Sequence, residues 1–237
     1  MNREIKTLSY LGPAASFTHE VALGLTRLYL PYANTELVPA PTIEAVCQSV
    51  IDGQTNHGVV PIENSTDGSV KDTLSAFRKH PLRIRSERSH PISQSAYHHR
   101  DVKPEDIKIV ASKDSALGQV KHKVSTLYPY ARLVERPSTV AAILEAYENP
   151  EMAAIGPKMV GVIYQLMDRM IQINDVHDNS LNTTRFLIVD PQDDEEVQPT
   201  GNDKTSLIAQ IPDRPGSLYK VLDLLVDQKI NNKKIKS

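Results

Sequence analysis

A hydroxyl, a fixed cation and an aromatic ring follow one another in the segment Asn182–Phe186, which reads NTTRF. Thr184 carries a neutral hydroxyl, Arg185 a guanidinium suited to carboxylates, and Phe186 an apolar ring. A site for an anionic organic molecule needs these three types of side chain. The apolar run Phe186–Val189 fits equally well with an ordinary buried strand that Thr184 and Arg185 merely begin. Taken alone, the pentapeptide is compatible with both interpretations.

The elements around this segment repeat a pattern of a short apolar run, a polar loop and an amphipathic helix. This repetition predicts an α/β fold. The predicted strands are 8–11, 57–62, 107–111 and 152–155, and the predicted helices are 17–30, 42–52, one ending near 79, 115–127, 140–148 and one opening at 156–157. Ser138 and Thr139 are predicted to cap the helix 140–148.

The polar loops of this pattern lie where strands end and helices begin, at Gly12–Ser16, Glu63–Gly68 and Ser112–Asp114. The first N–H groups of a helix lack intrahelical partners and favour anions. In open α/β sheets, ligands bind beyond the carboxyl ends of the strands. The loops therefore indicate a cleft for a carboxylate or phosphate ligand, although Ser and Thr also occur simply as helix caps.

Three further segments complete the predicted organisation. Residues 81–99 lack helical periodicity and are predicted to form an extended crossover between two lobes. Residues 190–202 are acidic and contain proline, which is typical of a linker or an exposed loop. Beyond them, Thr205–Ile211 is predicted to be a strand, and a helix is expected from Ser217 to about Gln228.

The composition excludes several classes of protein. With 237 residues, 40% hydrophobic residues and a formal charge of -2, the chain fits one large or two modest globular domains. Its basic residues are scattered, which argues against nucleic acid as a partner. We find no signal-peptide core and no apolar run of about 20 residues. We therefore expect a cytoplasmic location and no membrane partner. The single cysteine, Cys47, is expected in the core and rules out an internal disulfide.

Three motifs, in order, resemble those of the prephenate dehydratase family. Gly12–His19 (GPAASFTH) is similar to the family's first signature, Val60–Gly68 (VPIENSTDG) to its second, and Asn182–Phe186 to its third. The resemblance extends from about Ile5 to Val189. The tail from about Lys204 resembles the start of an ACT domain, a regulatory module.

This resemblance implies a fold, a domain organisation and an activity. The implied fold is α/β: a two-lobed catalytic domain like the type II periplasmic-binding proteins at residues 1–190, crossing over near 81–99, then an acidic linker at 191–203 and a truncated ACT domain at 204–237. The implied activity is the decarboxylation and dehydration of prephenate to phenylpyruvate in L-phenylalanine biosynthesis, with no metal or other cofactor. The family also implies a homo-oligomer, a dimer or tetramer.

The resemblance also implies roles for individual residues. Thr184 takes the catalytic role, assisting the departure of the ring hydroxyl. The residues expected to bind substrate are Ser16, Glu63, Asn64, Ser65, Thr66, Ser112, Asn182, Arg185 and Phe186. Arg185 and the loop amides near Ser16, Asn64 and Ser65 are assigned to the carboxylates, and Phe186 to the substrate ring. Glu63 is either a carboxylate of the cleft or a structural residue of its loop. Gly216 and Leu218 correspond to the site of a phenylalanine effector.

Two departures from the family pattern qualify these expectations. Residues Ser112–Ser115 read SKDS, where the family usually has Ser-His-Pro-Gln. The hydrogen bond that the family's glutamine makes is then weaker here, made by Ser115 instead, or made through water. Lys113 is either a compensating cation or a solvated surface residue. Residues Lys234–Ser237 fall where the family's effector motif Glu-Ser-Arg-Pro begins, with Lys236 in place of the glutamate. Regulation by phenylalanine is therefore an open expectation.

Two other functions remain compatible with the sequence. The first is a related reaction, either an arogenate dehydratase or a prephenate decarboxylase-like enzyme that does not form an aromatic ring. The retention of Thr184 argues against the decarboxylase. The second is an inactive or non-enzymatic two-lobed binding protein.

Overall fold

Two mixed β-sheets form the framework of the three sequence motifs in the computed structural model of the chain. The structure describes residues 6–28, 32–179, 181–192, 200–201 and 203–235. These residues fall into two compact units, 1–194 and 195–237. All three sequence motifs lie in the first unit, where each sheet and the helices packed on it form one lobe.

The first sheet contains the strands that carry the second and third motifs. Its elements in chain order are β1 (Thr7–Leu11), α1 (Phe17–Leu28), β2 (Glu36–Ala40), α2 (Ile43–Ile51), β3 (His57–Asn64), β4 (Gly68–Ser69), α3 (Lys71–Lys79), β5 (Leu82–Pro91) and, from the end of the unit, β11 (Thr183–Pro191). The strand order is β2-β1-β3-β11-β5, and β4 pairs with β3. Strand β1 is parallel to β2 and β3, whereas β11 is antiparallel to both β3 and β5.

The second sheet is built from the middle of the chain. Its elements are β6 (Gln94–His99), β7 (Ile109–Ser112), α4 (Asp114–Gly118), α5 (Lys121–Leu127), β8 (Arg132–Glu135), α6 (Thr139–Glu148), β9 (Met152–Pro157), α7 (Met159–Ile163) and β10 (Met170–Ile173). Their order in the sheet is β10-β6-β9-β7-β8. The chain enters this lobe between β5 and β6 and leaves it between β10 and β11, so two connections join the lobes.

The residues of β11 alternate between two apolar layers on opposite faces of the first sheet. Phe186 and Ile188 pack with residues of α1, and we call this side the α1 face. Leu187 and Val189 pack with residues of α2 and α3 on the opposite side, the α2/α3 face. Cys47 is fully buried in that second layer, as predicted, and burial raises the pKa of its thiol to about 11. The period of two in a strand thus assigns each side chain of β11 to one environment.

The sequence pattern located most helices correctly, and the capping residues explain why. Thr42 accepts a hydrogen bond from the Ala45 N–H, and Ser138 accepts one from the Ala141 N–H. The predicted helix 115–127 is instead two short helices, α4 and α5, that break at Gly118–Val120. A glycine followed shortly by a β-branched residue weakens a helix at such a point. The predicted helix 17–30 ends at Leu28 in the structure, and residues 29–30 lie outside the described residues.

The sequence prediction missed strands β2, β4, β8 and β10, and it ended β3 too early. Strand β2 was not predicted, because its sequence contains Pro39 and alternates poorly. Strand β3 extends two residues beyond the predicted end, so Glu63 and Asn64 belong to a strand rather than to a loop. This extension matters for function because register with β11 then fixes where both side chains point.

The second unit contains the helix α8 (Ser217–Asp227), close to the predicted bounds. The predicted strand Thr205–Ile211 is wrong, because this segment has no regular secondary structure in the described part of the chain. A strand needs a neighbouring strand for its backbone hydrogen bonds, and no other segment described in this unit supplies one. Residues 193–199 and 202 of the predicted linker, together with Lys236 and Ser237, lie outside the described residues. Among the helices that the structure describes, none has the length and apolar character to cross a membrane.

Candidate active site

Thr184 and Asn64 are brought together by the pairing of β11 with β3. In this antiparallel pair Thr184 lies directly opposite Asn64, although 120 residues separate them in the sequence. Residues directly opposite each other in such a pair point to the same face of the sheet. Thr184 is 7% exposed and is the second residue of its strand. The predicted catalytic hydroxyl is therefore held in a fixed, largely enclosed position.

The amide of Asn64 has its orientation fixed by the turn that follows it. Its Oδ1 accepts hydrogen bonds from the backbone N–H groups of Thr66 at 2.8 Å and Asp67 at 3.0 Å. Because backbone N–H groups can only donate, Oδ1 must be the atom that faces them. Its Nδ2 then donates to Thr184 Oγ1 at 2.8 Å and to Asn182 Oδ1 at 2.8 Å.

The same network continues into the second lobe through Gln119, the residue that follows α4. Asn182 Nδ2 donates to Gln119 Oε1 at 2.8 Å, and Gln119 Nε2 donates to Asp67 Oδ2 at 3.3 Å. Because the Asp67 carboxylate can only accept, Gln119 must turn its Nε2 toward Asp67 and its Oε1 toward Asn182, which agrees with the direction of the bonds that start at Asn64. The network Asn64–Asn182–Gln119–Asp67 therefore joins the two lobes beside Thr184.

The direction of the network determines what Thr184 can do. Its oxygen accepts from Asn64, and the structure shows no acceptor for its own proton among the described residues. A hydroxyl both donates and accepts, and accepting a hydrogen bond strengthens its ability to donate one. Thr184 thus presents a polarised O–H group that is free to donate to a ligand.

Arg185 lies on the opposite face of β11 from Thr184. Its Nη2 is 3.1 Å from Glu63 Oε2, and its Nη1 is 3.4 Å from Glu87 Oε2. In this structure Thr184 and Arg185 therefore do not face the same ligand position, as the sequence had predicted they would. To bind a substrate carboxylate, the guanidinium would have to leave both carboxylates. Of the two roles that the sequence left open for Glu63, the structural one matches these contacts.

The other predicted substrate-binding residues have varied surroundings. Ser65 anchors the start of β11: its N–H donates to the Thr183 carbonyl and its Oγ accepts from the Thr183 N–H, both at 2.9 Å. Its neighbour Thr66 is exposed, whereas Ser112 is fully buried with its hydroxyl donating to the Ile155 carbonyl at 2.6 Å. Phe186 is 2% exposed and belongs to the apolar layer of the α1 face. Binding roles for these residues stay predictions.

The first motif forms a loop that is held against the start of α1. Ser16 Oγ accepts from the His19 N–H at 3.2 Å and donates to the Leu11 carbonyl at 3.1 Å. Ala15 has a φ of 64°, a left-handed conformation, and its N–H donates to His19 Nδ1 at 2.8 Å. Burial lowers the pKa of His19, opposed by the charge of Glu20, so the neutral ring that this bond requires is favoured.

The segment that departs from the family pattern is solvent-exposed. Lys113, Asp114 and Ser115 are all exposed at the beginning of α4. Among the described residues no hydrogen bond joins Ser115 to Thr184, and Gln119, four residues after Ser115, forms the bond across the lobes. No cluster of three or more His, Cys, Asp or Glu side chains able to hold a metal ion occurs among the described residues.

Sequence reasoning missed two members of the network, Gln119 and Asp67. Asp67 belongs to the second motif, and its position in a turn after a strand was the available signal. Gln119 carries no local signal, because its role depends on the break between α4 and α5 that turns it toward the first lobe. Only the contact between the two sheets reveals it.

Comparison with known proteins gives consistent results. The sequence profile described as prephenate dehydratase matches residues 8–194. A bifunctional chorismate mutase/prephenate dehydratase of Aquifex aeolicus is 32% identical over 237 residues, covering 100% of this chain and 62% of that protein. The prephenate dehydratase of Amycolatopsis methanolica is 32% identical over 225 residues, covering 94% of this chain and 71% of that protein.

A solved structure agrees with these sequence relationships. The crystal structure of a prephenate dehydratase from Arthrobacter aurescens, in complex with L-Phe, has a TM-score of 0.85 and 30% identity, covering 98% of this chain and 74% of that one. The chain spans 56 to 62% of the length of the first bifunctional relatives. With its three motifs placed on two neighbouring strands and the adjoining loop, and a profile match over residues 8–194, the chain belongs to the prephenate dehydratase family.

Proposed function

We propose that this chain converts prephenate to phenylpyruvate, carbon dioxide and water, a step of phenylalanine biosynthesis. The observation that supports it best is the hydrogen bond from Asn64 Nδ2 to Thr184 Oγ1, which leaves the Thr184 proton free to donate. The family relationship supplies the substrate, and this bond supplies a residue suited to the reaction.

The reaction breaks two bonds of the substrate ring. The bond between the ring and its hydroxyl breaks with the electron pair leaving on oxygen, which takes a proton and departs as water. The bond between the ring and its carboxylate also breaks, its electron pair enters the ring, and carbon dioxide leaves. The ring becomes aromatic, which drives the reaction, so the protein needs mainly to orient the substrate and assist the departing hydroxyl.

Thr184 assists that departure as a hydrogen-bond donor. Negative charge develops on the departing oxygen, and a donor that is already in position stabilises it more in the transition state than in the substrate. Asn64 holds the threonine oxygen and increases the polarity of its O–H group. The enclosed position of Thr184, which is 7% exposed, limits the bulk water that can compete for this bond.

The substrate carboxylates are assigned to the loops around Thr184. Ser16 uses its hydroxyl to cap the His19 N–H, so the first two N–H groups of α1 remain available for an anion. The hydroxyls of Ser65 and Thr66 complete this polar surface. Asn182 supports it from behind, because its buried amide is engaged with Asn64 and Gln119. Phe186 supports the substrate ring from the apolar layer below.

The finer description of the fold is also a proposal. The two lobes joined by two connections are consistent with a domain like the type II periplasmic-binding proteins at 1–190, followed by a linker at 191–203 and part of an ACT domain at 204–237. The L-Phe in the Arthrobacter structure supports phenylalanine as an effector of this family member. In this chain Gly216 has a φ of 83° and Leu218 is half exposed at the start of α8. Assembly as a dimer or tetramer belongs to the same proposal.

A turnover assay with product identification tests the proposed activity. Purified protein is incubated with prephenate and, in a separate reaction, with arogenate. Each product is identified by its absorbance in alkali and by mass, and the prephenate reaction is run with and without phenylalanine. We expect phenylpyruvate as the product. Phenylalanine formed from arogenate, with no reaction of prephenate, would favour the arogenate dehydratase. A non-aromatic decarboxylated product would favour the decarboxylase, and binding without turnover would favour the binding protein.

A further inference from the structure

His90 lies directly across β11 from Asn64, on the other side of Thr184. In the antiparallel pair of β5 and β11, Thr184 is opposite His90, so both side chains point to the α1 face. The Cβ atoms of residues opposite each other in such a pair are about 4.5 to 5.5 Å apart. Thr184 therefore has an amide on one neighbouring strand and an imidazole on the other.

The imidazole of His90 is held by groups from two other elements. Its Nε2 is 3.0 Å from Glu20 Oε2, in the first turn of α1. Its ring centroid is 6.4 Å from that of Phe186 and 6.5 Å from that of Phe17. The side chains of His90 and Glu20 are 27% and 21% exposed, so the pair is partly buried yet accessible to water.

The charged and titratable groups around this pair come from three elements. On β5, Arg88 lies two residues before His90 on the same face. On α1, His19 adjoins Glu20 but stacks on Tyr10, with ring centroids 4.7 Å apart. From the second lobe, Tyr97 lies near Glu20, and its pKa is raised by burial and by that negative charge. Among these groups, His90 is the one placed opposite Thr184.

The reaction proposed above consumes one proton per turnover. Prephenate carries two negative charges, and its products are a singly charged phenylpyruvate, carbon dioxide and water. A threonine hydroxyl does not titrate near neutral pH, so any proton that it gives up must be replaced from a group that does. His is the side chain whose ordinary titration lies in this range.

We propose that the His90–Glu20 pair is the proton source for Thr184, an inference that rests on the proposed function. The departing hydroxyl takes the Thr184 proton as its bond to the ring breaks. The threonine oxygen then takes the Nδ1 proton of the His90 imidazolium through one bridging water molecule, because Glu20 holds the Nε2 proton and no direct hydrogen bond joins His90 to Thr184. Neutral His90 regains its proton from solvent, and Glu20 stabilises the charged ring and fixes its orientation. His90 is thus a positioning and proton-relay residue, and Thr184 remains the group in contact with substrate.

The test compares the kinetics of His90→Gln and Glu20→Gln with those of the unchanged protein across pH. Glutamine retains a donor for Glu20 but cannot release a proton. We expect His90→Gln to lower kcat by about 10²-fold at neutral pH, in the range for lost acid–base assistance. Because the relay needs the imidazolium, we expect kcat of the unchanged protein to fall at alkaline pH. We expect that fall to be absent in His90→Gln, with KM little changed. Imidazole added to His90→Ala is expected to restore part of kcat.

The chain supplies a matched control in His80, whose Nε2 lies 2.8 Å from Glu44 Oε1 away from Thr184. We expect His80→Gln to retain kcat and its pH profile. A wild-type pH profile in folded His90→Gln, or a loss of rate that neither changes the pH profile nor responds to imidazole, would overturn the relay. If His90→Gln does not fold, Glu20→Gln decides: an unchanged kcat and pH profile there would overturn it as well. Absence of prephenate turnover in the unchanged protein would instead refute the proposed function, and the relay with it.

Discussion

The two faces of β11 present adjacent residues to opposite kinds of environment. On the α1 face, Thr184 accepts a hydrogen bond from Asn64 and keeps its own proton unused. On the α2/α3 face, Arg185 points both of its terminal nitrogens at carboxylates, those of Glu63 and Glu87. One face therefore retains an unused donor, and the other has its strongest donor engaged in ion pairs.

Under the proposed function, this difference lets one strand serve chemistry and stability together. The ion pairs on the α2/α3 face connect β11 to both neighbouring strands, β3 and β5. That connection fixes the register, and the register places Asn64 and His90 on either side of Thr184. The α2/α3 face thus positions the strand, and the α1 face carries the hydroxyl proposed to act on the substrate.

The largest expected effect comes from removing the hydroxyl of the α1 face. We expect Thr184→Val to lower kcat by about 10² to 10⁴ while KM changes little, because the lost bond forms mainly in the transition state. Thr184→Ser retains the hydroxyl and should keep most of the activity. Steady-state kinetics on prephenate measure both. Turnover at the wild-type rate in the valine variant would contradict the proposed role.

A smaller effect is expected from reversing the bond between Asn64 and Thr184. Asn64→Asp keeps an oxygen for the N–H groups of Thr66 and Asp67 but replaces the donor with a carboxylate oxygen. The Thr184 proton would then be drawn to the carboxylate, so we expect kcat to fall by about 10 to 10². The variant should remain folded in a thermal melt. An unchanged kcat at saturating substrate would show that the orientation of this bond is not required.

Changing the other face should affect stability more than kinetics. Arg185→Met removes the cation that Glu63 and Glu87 share. The Arg185 side chain is 32% exposed, so solvent weakens these ion pairs. We expect the free energy of unfolding to fall by about 1 to 2 kcal/mol, less than for a fully buried pair. Because Arg185 is held by these two carboxylates and not by the substrate, KM for prephenate should stay within about threefold of the value for the unchanged protein. A much larger rise in KM with an unchanged melting temperature would instead restore Arg185 as the ligand of a substrate carboxylate.

The smallest expected effect is a dependence of stability on pH through His19, on the α1 face. Burial lowers its pKa in the folded state below the ordinary value of about 6.5, so the unfolded chain takes up the proton first. The stabilising contribution is therefore complete above that value and is lost as the pH falls below it. Urea unfolding at pH 7.5 and pH 5.5 measures this loss. His19→Gln should show a weaker dependence, and an equal dependence would exclude His19 as its source.

The sequence located the elements better than the contacts between them. Local signals such as the Ser138 cap and the motif Asn182–Phe186 were sufficient for α6 and for the position of Thr184. Strand register was not predictable, because the partners Asn64, His90 and Thr184 are brought together by long-range pairing. Arg185 is different, because the alternation of a strand already places it on the opposite face from Thr184. What the sequence could not give is its partners, Glu63 and Glu87, which come from the two neighbouring strands.

The predicted strand Thr205–Ile211 illustrates a second limit. Its apolar pattern is suitable for a strand, yet a strand forms only where a neighbour completes its hydrogen bonds. Gln119 illustrates the converse, since no local pattern distinguished it from any polar residue at the end of a short helix. Both cases depend on partners distant in the sequence.

The most direct test of the account is a double-mutant cycle on kcat for Thr184 and Asn64. If Asn64 acts through the Thr184 hydroxyl, Asn64→Asp should lower kcat by about 10 to 10² in the unchanged protein but by less than about threefold when Thr184→Val is already present. Thr183→Val provides the matched background on the other face of β11, where Asn64→Asp should retain its full effect. An equal loss of kcat in the Thr184→Val and Thr183→Val backgrounds would contradict the account.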